Sequence, residues 1–133
     1  MKHDEFARCI VSKFDTLFDP ALNSFWCECG EGWQELILCA LSQLDWYNQT
    51  LSWFDETVPV QIVQIKEKYG ELIIYTDTTS PYVQGIIDTV SYMSCRTCEV
   101  CGQPEVTRGS GWLKTLCDHH AEELGYPAGI ETF

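Results

Sequence analysis

Two pairs of potential metal ligands, Cys98 with Cys101 and Cys117 with His120, are separated by fifteen residues in a C-x2-C-x15-C-x2-H arrangement. Ligands two residues apart can chelate one tetrahedral ion, and a second such pair closes the site. Gly102, directly after the second cysteine, suits a tight knuckle that aims backbone N–H groups at thiolate sulfurs. The stretch Trp112 to Leu116 reads as a strand running into Cys117, and Ala121 to Leu124 reads as a helix. Knuckle, hairpin and a ligand pair at a helix start make a treble-clef-like zinc finger. His120 is the expected ligand rather than His119, because the two-residue gap puts it beside Cys117 on a first helical turn. A Cys3His set leaves no open position for water, so the Zn2+ is expected to be structural, carrying about one net negative charge with its three thiolates. Its binding free energy would support a segment with little core of its own.

The residues before Cys95 have a different texture. Phe6, Ile10, Phe14 and Leu17 recur at helical spacing over 4–17, and Trp33, Leu36, Ile37, Ala40, Leu41 and Leu44 do so over about 33–47. Residues 20–32 read as a loop. Val58 to Lys68 and Leu72 to Thr76 read as strands around Tyr69-Gly70. A two-residue turn there would set Ile65 against Ile74, Glu67 against Leu72, Lys66 against Ile73 and Gln64 against Tyr75. A third helix is expected over 82–94, burying Val83, Ile86, Ile87, Val90 and Met93. The expected architecture is α+β: residues 1–94 form a core of two helices, a β-hairpin and a third helix, with a zinc-binding subdomain, 95–133, packed on it. Cys9 and Cys39, inside helices, read as small buried hydrophobes. The Cys27-x-Cys29 pair has two further readings, a second metal site with Cys95 or a thiol nucleophile at Cys29 activated by the following helix N-terminus.

With 8 Lys+Arg against 20 Asp+Glu, the formal charge is −12. That excludes a surface built to grip duplex nucleic acid, which needs a Lys/Arg footprint. The helix after Cys117 carries Glu122 and Glu123 and no basic face, which argues against base readout. No apolar run approaches a membrane span, and the start lacks the apolar centre of a signal peptide, so the expected compartment is the cytoplasm. Five of the eight cations lie after residue 60: Lys66, Lys68, Arg96, Arg108 and Lys114. Arg108 and Lys114 bracket Gly109-Ser110-Gly111-Trp112, a loop able to offer backbone N–H groups to an anion, with Trp112 as a stacking surface. The competing reading pairs each cation with one of the twenty carboxylates. Five Trp, six Tyr and six Phe exceed what one small core needs, which points to a homo-oligomer interface.

The segments Glu28-Cys29-Gly30-Glu31-Gly32-Trp33, Ile65-Lys66-Glu67-Lys68-Tyr69-Gly70-Glu71-Leu72, Cys98-Glu99-Val100-Cys101-Gly102 and Gly111-Trp112-Leu113-Lys114-Thr115-Leu116-Cys117-Asp118 resemble a family of small uncharacterised proteins of bacteria and their phages. The resemblance spans roughly 28–121 and implies no activity. It implies that Lys66, Lys68, Lys114 and Trp112 share a pocket, and it implies a bacterial host cell and a phage counter-defence context. Two functions compete. One is non-enzymatic capture of an anionic, nucleotide-type small molecule by Lys66, Lys68, Arg96, Arg108 and Lys114 with Tyr69, Tyr75 and Trp112. The other is an acidic protein-interaction or DNA-mimic module that inhibits a basic partner. Catalysis is disfavoured: the histidines are His3, His119 and His120, no phosphate loop of the P-loop type is present, and Glu99 lies inside a knuckle whose four ligands already close the site.

Overall fold

The computed structural model describes residues 1–19, 27–105, 107–108 and 113–126. Helix α1, His3–Lys13, buries Phe6 and Ile10, and a 3-10 turn at Asp15–Leu17 carries the same stripe on to Leu17. A second 3-10 turn, Glu31–Trp33, leads into α2, Gln34–Gln49, which buries Ile37, Ala40, Leu41, Leu44 and Tyr47. Trp33 at that junction is fully buried. Each such aliphatic side chain contributes roughly 1.5–3 kcal/mol on leaving water, so these stripes fix how the helices face. Cys9 and Cys39 are exposed, which corrects their reading as core. Cys9 sits one residue before the buried Ile10, and Cys39 one before the buried Ala40. A step of one residue turns about 100° away from the buried face.

Three strands, β1 (Cys27–Glu28), β2 (Ile62–Lys68) and β3 (Glu71–Thr76), form a sheet in the order β1-β2-β3. Strands β2 and β3 pair antiparallel with Ile65 opposite Ile74, Lys66 opposite Ile73, Glu67 opposite Leu72 and Gln64 opposite Tyr75, the register expected from the sequence. The turn explains it. Tyr69 and Gly70 have φ of 54° and 79°, the two left-handed positions of a type I′ turn, whose twist matches the flanking strands. Strand β1, Cys27–Glu28, lies inside the stretch expected to be loop and pairs parallel to β2, Cys27 opposite Ile65.

Helix α3, Pro81–Ser94, starts with Ser80 accepting a hydrogen bond from Val83 N and Pro81 in the first turn. It buries Val83, Ile87 and Val90 as expected, but Met93 is 47% exposed and Ser91 and Ser94 are buried instead. The serines face the outer edge of β3, where Leu72 N donates to Ser94 Oγ and Ser91 Oγ donates to Leu72 O. The strand edge needs hydroxyls there, and a thioether could not supply them.

The C-terminal part follows the expected order. A knuckle at 98–102 closes with Gly102 N donating to Cys98 O, and Gly102 has φ of 83°. Strands β4, Thr107–Arg108, and β5, Lys114–Thr115, pair antiparallel. Helix α4, Asp118–Leu124, ends on Gly125 in the left-handed conformation. Cys98, Leu116, Cys117 and Ala121 form a small apolar cluster apart from the main core.

Candidate functional site

The knuckle and the start of α4 bring Cys98, Cys101, Cys117 and His120 together, with all four donor atoms within 4.8 Å of one another. Cys98 Sγ lies 3.7 Å from His120 Nδ1, Cys101 Sγ 3.6 Å from Cys117 Sγ, and Cys117 Sγ 3.1 Å from His120 Nδ1. A tetrahedral ion bonding sulfur at about 2.3 Å separates its sulfurs by about 3.8 Å, so the donors stand close to the spacing of a filled site. None of the three thiols is in a disulfide. Burial pushes the Cys98 thiol up, but backbone N–H groups of Cys117, Cys101 and Val100 outweigh it and bring its pKa down to about 7. Those amides are the knuckle geometry that stabilises a thiolate ligand. Glu123 Oε2 lies 4.0 Å from His120 Nε2 and 3.5 Å from His119 Nε2, too far from His120 to hold its ring by a hydrogen bond. His119 points outward, its side chain 78% exposed.

A second cluster lies beneath the knuckle. The Lys114 ammonium sits 3.0 Å from Glu67 Oε1 and 3.3 Å from Glu99 Oε1. Burial alone would lower the Lys114 pKa, but the Glu67 hydrogen bond and the charges of Glu99 and Glu67 outweigh it and raise it above its usual value. Glu99 also accepts from Gly30 N through Oε2 at 2.8 Å, its carbonyl accepts from Gly32 N at 2.7 Å, and Trp33 Nε1 donates to Thr97 O at 2.8 Å. Gly30 and Gly32 are glycines because the knuckle backbone lies against them. A Cβ on Gly32 would run into the Cys98 carbonyl oxygen and come within 2.6 Å of Gly102 N. The Gly-x-Gly-Trp segment at 30–33 is therefore the seat of the 97–102 knuckle. Glu99, the acid weighed for catalysis, is committed to this seat.

No protein-family model, no curated protein and no solved structure matches the chain.

The cations expected to gather around an anion stand in different surroundings. Lys66 lies over the Tyr75 ring and Lys68 over the Tyr69 ring, each at 5.7 Å, on the sheet face away from the core. Lys114 is held by its two carboxylates. Arg96 is exposed at the end of α3. Arg108 is placed only by its backbone, opposite Lys114, and Trp112 lies outside the described residues. Cys27 and Cys29 are buried with sulfurs 3.8 Å apart, and Cys95 does not complete a metal-sized group with them among the described residues. The Cys29 thiol is pushed upward by its hydrogen bond with Cys27, by burial and by the charges of Cys27, Glu99 and Glu67. Its burial and the upward direction of that shift argue against its reading as an activated nucleophile.

The feature that sequence reasoning missed is a groove of about 780 Å³ between β3 and α3. Ile73, Ile74, Tyr75, Ile87 and Tyr92 give it an apolar lining, and Glu71, Asp77 and Asp88 supply its charges. Among the described residues, no Lys or Arg lines it. The three carboxylates have neutral hydrogen-bond partners among those residues: Glu71 with Ser91 Oγ, Asp77 with Gln61 N and Asp88 with Gln84 Nε2. In the sequence these acids lie up to seventeen positions apart, which hid them as a group.

Proposed function

We propose that the protein is a non-enzymatic interaction module that docks a basic partner protein in the β3–α3 groove, with Zn2+ at Cys98, Cys101, Cys117 and His120 holding the C-terminal part in shape. The observation that carries this reading is the groove itself: an apolar floor rimmed by three carboxylates for which no ion pair is found among the described residues. Such a surface favours a ligand with apolar and cationic groups, and the net charge of −12 steers that ligand inward at low salt. The Cys3His donor set favours Zn2+ over harder cations, and its closed coordination gives the ion a structural role. Inhibition of a basic host protein would also suit the phage setting implied by the sequence resemblance.

A second reading keeps nucleotide capture. It is supported by Lys66, which stands over Tyr75 at the rim of the groove, with Lys68 on the same sheet face. Calorimetry separates the two. The zinc-loaded protein is titrated with a blocked heptapeptide of alternating arginine and valine, and with a panel of linear and cyclic nucleotides, at 50 and 300 mM salt. The docking reading expects heat from the peptide alone, weakening with salt, and a loss of affinity in Asp88→Asn. Binding of a nucleotide that Lys66→Ala abolishes, with a silent peptide, would overturn it.

A further inference from the structure

The groove does not end at Asp77. Thr78 and Thr79, which form its far wall, also line a separate pocket of about 180 Å³ beside the loop after α2. The walls of that pocket include Tyr47, Val58, Val60 and Val83 beside Thr78, Thr79 and Ser80, and Glu56 is the carboxylate among its described lining residues. Val60 and Val83 are almost fully buried, whereas Val58 and Glu56 are exposed. The pocket is therefore apolar at its base and carries one negative charge in contact with water. No ion pair reaches Glu56 among the described residues.

We propose that this pocket anchors a single lysine or arginine side chain, belonging to an extended basic segment whose remaining residues run along the β3–α3 groove. The proposal rests on the docking reading above and names its specificity element. The shape argument is direct. A long cationic side chain has an aliphatic stem and a charged head, and it gains most where the stem meets apolar walls and the head stays near water and an opposite charge. A purely aliphatic anchor would gain nothing from the hydrated Glu56 carboxylate, and an acidic one would face its charge. Continuity through Thr78 and Thr79 sets the form of the ligand. The ligand reaches from one cavity to the other past Thr78 and Thr79, a reach that suits an extended chain.

The test uses the zinc-loaded protein and amide-shift mapping by NMR. Nα-acetyl-arginine methylamide is the first probe and its norleucine counterpart the control. The arginine probe is expected to move the amides of Val58, Val60, Thr78 and Thr79 most, and the norleucine probe to move them less at equal concentration. The alternating arginine–valine heptapeptide is then titrated into Glu56→Gln and Asp88→Asn, both exposed positions. Glu56→Gln should weaken it about fivefold at low salt, the upper range for one exposed charge pair. If the heptapeptide binds and responds to Asp88→Asn but not to Glu56→Gln, the anchor is wrong and the groove reading stands. Equal shifts from the norleucine probe also overturn the anchor. If the heptapeptide does not bind at all, both readings fall.

Discussion

Gly32→Ala and Gly85→Ala are the same chemical change, one methyl group, at two backbone positions that should respond with opposite sign. Gly32 is pressed against the knuckle. Its added Cβ meets the Cys98 carbonyl oxygen, the Gly102 nitrogen at 2.6 Å and the Glu99 carbonyl carbon at 2.7 Å, all of them backbone atoms that cannot swing aside. Relief requires the subdomain to lift, which breaks the bonds from Gly32 N, Gly30 N and Trp33 Nε1 that hold it down. Overpacking costs about 1–3 kcal/mol, and each lost bond about 1 kcal/mol. With two of the three bonds lost, the expected destabilisation is about 3–5 kcal/mol, a large part of what a domain of this size possesses. Gly85 lies inside α3 with nothing within 4 Å of its added methyl. Alanine there should stabilise by up to about 1 kcal/mol through helix propensity. Urea unfolding of the zinc-loaded proteins, followed by tryptophan fluorescence, measures both. A Gly32→Ala protein within about 0.5 kcal/mol of the parent would refute the clamp.

Three more expectations follow from the same contacts. Lys114→Met strands Glu67 and Glu99 without their cation and should cost about 3 kcal/mol by urea unfolding. Because folding raises the Lys114 pKa, its contribution is complete below the unfolded value of about 10.5 and is lost as pH climbs through the folded one, so the gap to the parent should stay flat from neutral pH and narrow only above that point. His120→Ala should abolish stoichiometric zinc binding in a chelator-competition assay while His119→Ala leaves it intact; equal losses would contradict the donor set. Tyr69→Asn should raise stability by about 0.5–1 kcal/mol in thermal unfolding, since Tyr69 is exposed and holds a left-handed φ that asparagine adopts more readily.

What could be read from the sequence was what local periodicity controls. The helical stripes of α1, α2 and α3 and the β2–β3 register depend on neighbours within a few residues, and the Tyr69-Gly70 turn leaves little freedom in how the strands meet. The ligand quartet was legible because chelation imposes its own spacing. The rest depends on contacts between distant segments. Two residues of β1 carry no strand pattern and become a strand only because β2 offers an edge. Ser91 and Ser94 look misplaced on a buried face until the Leu72 edge is seen. Lys114 looks like a candidate for an anion site, and only the fold brings Glu67 and Glu99 to it. The groove carboxylates come from a strand, a loop and a helix. Cys9 and Cys39 are a different case: the stripes already excluded them from the core, and the general preference of cysteine for burial was the wrong guide.

The seat at 30–33 also bears on the order of events during synthesis. Its bond from Gly30 to Glu99 spans 69 residues and that from Trp33 to Thr97 spans 64. On a ribosome, the early segment leaves the tunnel with its amides uncommitted and stays so until the knuckle has been made. Long closures of this kind are slow and leave apolar surface open to wrong partners meanwhile. If Zn2+ fills the Cys98, Cys101, Cys117 and His120 cluster, its capture would gather four donors within a stretch of 23 residues, 98–120, and so hand the waiting segment a finished surface. Zinc supply at the moment of synthesis would then set the yield of folded protein as well as its stability once made.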